Sequence, residues 1–259
     1  MSYNEIYNII GFDREMKRLK KQANQGIDRE IEMLRYLDVK DDSIILEVGS
    51  GPGFYTENLL KNFDKAHLFC LDNDEKLINY AINKLDKVYN GRVNFINDDI
   101  MNSNMPDSYF DIIIARFVFQ HLSSPVKALK EIYRILKPGG KVIIIDIENS
   151  LWGTTYPKNK LIEKLNVEIM EQQKKLQGNR EIGSVLLTLL KLTNFNNLKI
   201  EAVINHSELL GKDKFKNNLP KGLTNNDNMD RIIQEYNDFF DLKYSSIMLL
   251  KFFFYGEKI

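Results

Sequence analysis

Between residues 44 and 147, short continuous apolar runs alternate with stretches of helical period, and this alternation limits the fold more than any other feature of the chain. Ile44–Val48, Ala66–Leu71, Val93–Ile96, Asp111–Ala115 and Lys141–Ile147 read as strands. Such runs suit strands covered on both faces rather than strands with one wet face. Between them, Thr56–Phe63, Glu75–Val88 and Pro125–Leu136 read as helices; Leu77, Ile78, Ala81, Ile82 and Leu85 form one apolar stripe. The last helix stops at Lys137-Pro138-Gly139-Gly140, where proline lacks an N–H and glycine accepts positive φ. A β-α-β-α series of this kind implies an α/β fold, a mostly parallel sheet wound with helices on both faces.

The flanks are less regular. Residues 1–40 read as helical, with Met16, Leu19, Ala23, Ile27, Ile31, Leu34 and Leu37 at spacings of three and four. Residues 150–180 read as polar and helical, without a strong strand. Ser184–Thr193 reads as a helix, Leu198–Ile204 as a strand, 206–240 as an asparagine-rich mixture and Ser246–Tyr255 as a last strand. Lys212–Asp230 is the expected flexible stretch. With 259 residues and 43% apolar content, one domain can bury a full core without staples.

Charge and cysteine content exclude several classes. Thirty-six basic residues balance thirty-six acidic ones, so the basic excess expected of a nucleic-acid binder is missing. A single cysteine, Cys70, precludes an internal disulfide and fits a reducing compartment. The start of the chain does not read as a signal peptide, and no apolar run is long enough to cross a bilayer. The expectation is a soluble, cytoplasmic protein. No His or Cys cluster has metal-ligand spacing, so no metal is expected.

The chemistry-bearing segment is Glu47-Val48-Gly49-Ser50-Gly51-Pro52-Gly53, directly after the first strand. Its glycines permit a tight turn and let backbone amides approach a ligand, and the helix that follows directs further amides there. Asp72 lies about twenty positions beyond the last glycine, where an acid in this arrangement meets a nucleoside ribose. A nicotinamide or flavin site favours G-x-G-x-x-G. Here the third glycine comes one position early, and the strand carries a carboxylate, Glu47. That group repels a pyrophosphate but can pair with an ammonium.

ILEVGSGPGFYT, LFCLDND, NFINDDI and SYFDIIIARFVFQHLSSPVKALKEIYRILKPGGKVIIID resemble, in order and spacing, the motifs of class I S-adenosylmethionine-dependent methyltransferases. The nearest resemblance is to the small-molecule branch that includes the ubiquinone- and menaquinone-pathway enzymes. It covers about residues 40 to 150; RLKKQANQG also looks like the N-terminal lid helix of some members. The resemblance implies a Rossmann-like, doubly wound, mostly parallel seven-stranded sheet with an N-terminal helical lid and helical insertions. One domain then spans 1–259, with the lid at 1–40, the cofactor core at 41–150, and substrate-side insertions and last strands at 151–259. It implies S-adenosyl-L-methionine as cofactor and S-adenosyl-L-homocysteine as product. The implied cofactor residues are Glu47, Gly49, Ser50, Gly51, Gly53, Asp72, Asn73, Asp99, Ile100, Arg116 and Phe117.

Several of these residues have a second reading. Asp98-Asp99 can simply cap a turn, and Arg116 can form a surface ion pair. Asp111 reads as structural. Glu148 and Trp152 are substrate-pocket candidates, though Trp152 can instead seal an insertion. His206 and His121 are the candidate catalytic bases, each with a structural alternative. The acceptor is expected to be a small molecule, with O-, N- or C-methylation open. A protein of the same fold that only binds the cofactor or supports a partner is the alternative. ARFVFQ stands where adenine-N6 and glutamine-amide enzymes carry Asn/Asp-Pro-Pro-Tyr, and the carboxylates of a catechol-type magnesium site are missing. Cys70, inside a predicted strand, does not suit a cytosine-C5 nucleophile.

Overall fold

The structure, a computed structural model, describes residues 11–216 and 229–259. The first ten residues and most of Lys212–Asp230 therefore lie outside the described residues. Two helices, α1 (Phe12–Asn24) and α2 (Ile27–Tyr36), precede the sheet. The repeat follows as β1 (Ile44–Val48), α3 (Phe54–Asn62), β2 (His67–Asp72), α4 (Glu75–Leu85), β3 (Val93–Asn97), β4 (Phe110–Arg116), α5 (Pro125–Ile135) and β5 (Leu136–Asp146). The second half adds β6 (Trp152–Tyr156), α6 (Lys160–Lys175), α7 (Leu186–Leu192), β7 (Asn196–His206), α8 (Ser207–Leu210), α9 (Met229–Asp241) and β8 (Ser246–Glu257).

One sheet runs β3-β2-β1-β4-β5-β8, with β7 on the far side of β8. β1 to β5 are parallel, and β8 lies antiparallel to both β5 and β7. This is the doubly wound, Rossmann-like arrangement that the motifs imply, but with eight strands among the described residues rather than the expected seven, because β6 adds to the edge of β8. Successive side chains of a strand face opposite sides, and here both sides are covered. Ile112, Ile114, Ile143, Ile145 and Phe253 join the core under α1 to α4. Ile113, Ala115, Val142, Ile144 and Phe254 join the core under α5 and α7. Asp111 is structural: its carboxylate accepts from the Ile44 amide at 2.8 Å and from Lys137 Nζ at 2.7 Å.

Two sequence expectations are corrected. Residues 150–180 hold a strand: β6 pairs with the first half of β8, as Thr154 with Met248 and Tyr156 with Ser246. WGTTY is only partly apolar, and its pairing depends on an edge that distant residues supply. The turn at Lys137-Pro138-Gly139-Gly140 belongs to β5, because Leu136 already pairs with Phe110 across an irregular step. The mixed stretch 206–240 resolves in part into α8 and α9, which close a third cluster of Phe215, Tyr236, Phe239 and Phe240 against Ile162 and Ile247.

Candidate functional site

At the carboxyl end of β1 the chain turns back through Gly49–Gly53, and the turn is tied to β2. The amides of Gly49 and Ser50 donate to the Leu71 carbonyl at 2.7 and 3.0 Å. The Gly51 amide donates to Asp72 Oδ2 at 2.7 Å, and the Asp74 amide donates to Asp72 Oδ1 at 2.9 Å. Asp72 is thus oriented by backbone on both oxygens while each keeps acceptor capacity. Burial raises the Asp72 carboxyl above its ordinary range, against the pull of these amides. Gly53 starts α3 at φ 74°, and a Cβ there would lie 2.8 Å from Leu85 Cδ1. Gly51, at φ 53°, faces open space instead.

Glu47 lies beneath this loop, 2% exposed, and accepts from Thr56 Oγ1 at 2.7 Å. Burial, reinforced by Asp72, pushes its carboxyl up to about 8 although Thr56 and Arg116 pull the other way. The Ser50 hydroxyl is buried and pairs with no group among the described residues. Asn73 is exposed on the rim.

At the end of β3, Asp98 is the residue that shapes the turn. It accepts from the Asp99 and Asn104 amides at 2.8 and 3.0 Å. Asp99 accepts from the Met101 amide at 2.8 Å and stays partly exposed, while Ile100 is buried.

Past β4 the surroundings change. Arg116 forms a two-pronged ion pair with Glu30 of α2, Nε to Oε2 at 2.8 Å and Nη2 to Oε1 at 3.0 Å. It also donates to the Gln22 carbonyl at 3.1 Å. This pair is buried, not the surface pair that the sequence allows. Lys251 of β8 reaches the same Glu30 carboxylate and donates to the Gln25 carbonyl at 2.7 Å. Burial drives Glu30 upward, but Arg116 and Lys251 outweigh it and hold the carboxyl below its usual range. Phe117 follows with φ 58°, a left-handed conformation that is strained for a bulky residue. Its ring meets Trp152 edge-on at 5.8 Å.

The remaining candidates sit elsewhere. Glu148 is buried, and its Oε2 accepts from the Ser184 amide and hydroxyl at 3.0 and 2.6 Å, so it clamps the entry to α7. His206 Nδ1 accepts from the Glu208 amide at 3.2 Å and caps α8, which leaves the proton on Nε2. His121 ends the single turn Phe119–His121 at an exposed position. Among the described residues, no group of His, Cys, Asp or Glu is arranged to hold a metal ion.

Sequence reading missed three residues gathered around Arg116: Glu30, Lys251 and Tyr55, whose ring lies 4.7 Å from the Arg116 guanidinium. Two left a trace. Lys251 interrupts the apolar run SIMLLKFFFY, and Glu30 sits on the apolar stripe of Ile27, Ile31 and Leu34. A charge at an inward position of an element requires a buried partner. Tyr55 left none, since a tyrosine in a helix is ordinary.

Residues 46–144 match the model of a methyltransferase domain family. A ubiquinone/menaquinone biosynthesis C-methyltransferase of Vibrio vulnificus is 26% identical over 137 residues, 52% of this chain and 52% of that one. The chain thus spans about half the length of the curated relatives it matches. Among solved structures, Haemonchus contortus phosphoethanolamine N-methyltransferase 2 in complex with S-adenosyl-L-methionine aligns with a TM-score of 0.59. Its identity is 18%, over 87% of this chain and 51% of that one. The (4+2) cyclase SpnF aligns with a TM-score of 0.61 and 18% identity, over 89% of this chain and 81% of that one. Over residues 46–144 the chain is thus similar in sequence to a methyltransferase domain, and over most of its length it shares the fold of these structures.

Proposed function

We propose that this chain transfers a methyl group from S-adenosylmethionine to a small-molecule acceptor. The observation that carries this reading is the joint placement of the Gly49–Gly53 turn, Asp72 and Glu47 at one sheet edge. The residues fit the cofactor. Asp72 is held by two backbone amides with acceptor capacity left for ribose hydroxyls. A side chain at Gly51 would project into open space rather than protein. The buried Ser50 hydroxyl lacks a protein partner among the described residues. Glu47, protonated at neutral pH, gains an ionised state when an ammonium arrives beside it. Asp99 and Ile100 sit at the end of β3 for the adenine side.

When bound, the cofactor supplies an activated methyl on a sulfonium. The chain's own contribution is to orient and to exclude water. α1 packs on the helices after the turn, where Phe12 meets Tyr80 edge-on at 5.9 Å and the Asn58 amide donates to Asn24 Oδ1 at 2.9 Å, and α2 reaches the end of β4 through the Glu30–Arg116 pair. Phe117 and Trp152 form the apolar wall on the opposite side, where we place the acceptor, with Glu148 fixing the segment behind them. We read the whole chain as one domain: lid 1–40, cofactor core 41–150, substrate side 151–259. With His206 held at Nδ1 and His121 at an exposed position, neither is a strong choice for a base, which favours an acceptor that needs little proton removal.

No helix among the described residues is long and apolar enough to cross a membrane. We place the protein in the cytoplasm on the strength of its single, buried Cys70, with no nucleic acid as substrate on the strength of its charge balance. Calorimetric titration with S-adenosylhomocysteine and with NADH tests the cofactor. Micromolar affinity for the former alone, weakened by about tenfold or more in Asp72→Ala, is expected from the loss of charge-assisted hydrogen bonds. Absence of binding removes the reading. A cyclase shares the fold, so methyl transfer to an acceptor panel, rather than binding alone, separates an enzyme from a protein that only holds the cofactor.

A further inference from the structure

Five ionisable groups from five separate elements interact at this edge: Glu30 on α2, Glu47 on β1, Tyr55 on α3, Arg116 on β4 and Lys251 on β8. Their charges do not balance. Arg116 and Lys251 bring two positive charges, and both bond to the one carboxylate of Glu30. Glu47 is the other acid that Arg116 feels, and at about 8 it is largely uncharged at neutral pH. Glu30 is 0% and Lys251 1% exposed, so water does not supply the missing counter-charge. An unmatched buried charge is costly. The strain is carried by Lys251, whose ammonium is held down to about 8, by burial first and by Arg116, against the pull of Glu30.

A second observation points the same way. Tyr55 is 4% exposed, and its hydroxyl pairs with no group among the described residues. Its ring lies under the Arg116 guanidinium at 4.7 Å. Burial, with Glu30 and Glu47, raises its pKa, so the phenol keeps its proton and remains a donor. One unmatched cation and one unused buried donor together suit a carboxylate.

Resting on the function proposed above, we infer that Tyr55 and the Arg116–Glu30–Lys251 cluster form a subsite for a ligand carboxylate, which completes the cluster's charge balance. Two sources can bring that group. One is the amino-acid end of the cofactor, entering from the Gly49–Gly53 side. The other is an acidic acceptor resting on Phe117, whose ring lies 4.6 Å from the Arg116 guanidinium and 6.0 Å from Lys251 Nζ.

The test is calorimetric titration of the full chain, Tyr55→Phe and Lys251→Met. The first pair of ligands is S-adenosylhomocysteine and its decarboxylated analogue. The second is benzoate and benzamide, with and without S-adenosylhomocysteine. If the cofactor is the source, S-adenosylhomocysteine binds the unaltered chain about tenfold tighter than the decarboxylated analogue, the weight of one charge-assisted hydrogen bond. That gap closes in both variants. If the acceptor is the source, the first pair binds alike, benzoate binds where benzamide does not, and both variants lose benzoate. Lys251→Met leaves Glu30 and Arg116 as a neutral pair, so the variant keeps its fold, as its melting temperature will report. The inference is overturned if neither pair discriminates, or if the preference for the carboxylate survives in both variants. Failure of S-adenosylhomocysteine to bind at all sinks the proposed function instead, and the benzoate arm on the free protein still decides the subsite.

Discussion

The two halves of the carboxyl edge are built by unlike means. On the side of β1, β2 and β3 the site is mostly main chain: a glycine turn, amides aimed at Asp72, and one carboxylate under the loop. On the side of β4, β5 and β8 it is side chains brought together from Glu30, Arg116, Phe117, Trp152 and Lys251. The first half is local, because each part follows the previous one within a few tens of residues. The second depends on positions more than two hundred residues apart being packed before any charge is matched. A local site tolerates change elsewhere in the chain; a side-chain site does not.

The sharpest way to break the contrast is Glu30→Ala. It strands two buried cations, and a loss of about 3–5 kcal/mol is expected in denaturant unfolding. Partial recovery in the double variant Glu30→Ala with Lys251→Met, which leaves only Arg116 without its partner, would show that charge, rather than lost packing, causes it. On the local side, Gly53→Ala imposes a left-handed conformation on a residue with a Cβ and crowds Leu85. It should cost about 1–2 kcal/mol. Equal losses from the two substitutions would erase the distinction.

A pH series gives the next smaller effect. Burial lifts Glu47 to about 8 and Asp146, at the end of β5, to about 7. Both lie above the unfolded value of about 4. The folded chain therefore holds protons that the unfolded chain releases. Their contribution to stability is fully present below that unfolded value. It declines as pH rises through the folded values. Melting temperature should fall by several degrees between pH 5 and 8, and less steeply in Asp146→Asn. Desolvation holds the His121 imidazole down to about 4, which adds stability as pH rises toward its unfolded value of about 6.5, so a profile that rises above that value, up to pH 8, would contradict the burial of Glu47. The smallest effect is expected at Arg134, which pairs with Glu131 and with the exposed Asp107. Arg134→Ala should change stability by under about 1 kcal/mol, because the pairs are partly open to water.

These expectations divide along the same line as what could be read in advance. The strands β1 to β5, the helices between them and the turn at Gly49–Gly53 were legible because apolar periodicity and glycine spacing are local signals. So was Asp72, placed by its distance from the turn. β6 was not, because WGTTY becomes a strand only against the first half of β8. Arg116 was legible as the residue that ends β4 but not as half of a buried pair, since its partner lies far away on α2. Glu148 and His206 were read for where they fall in sequence, and their hydrogen bonds to Ser184 and Glu208 depend on neighbours that the motifs do not include.

By itself, then, the sequence determined a doubly wound α/β core and the backbone of a nucleoside-type turn, because strand burial, helix period and positive φ are properties of short stretches. Only the tertiary structure decided which charges meet at the edge. Glu30, Arg116 and Lys251 each look like an isolated residue in its own segment. Their energetics arise from exclusion of water, and that exists only once α2, β4 and β8 have closed on one another.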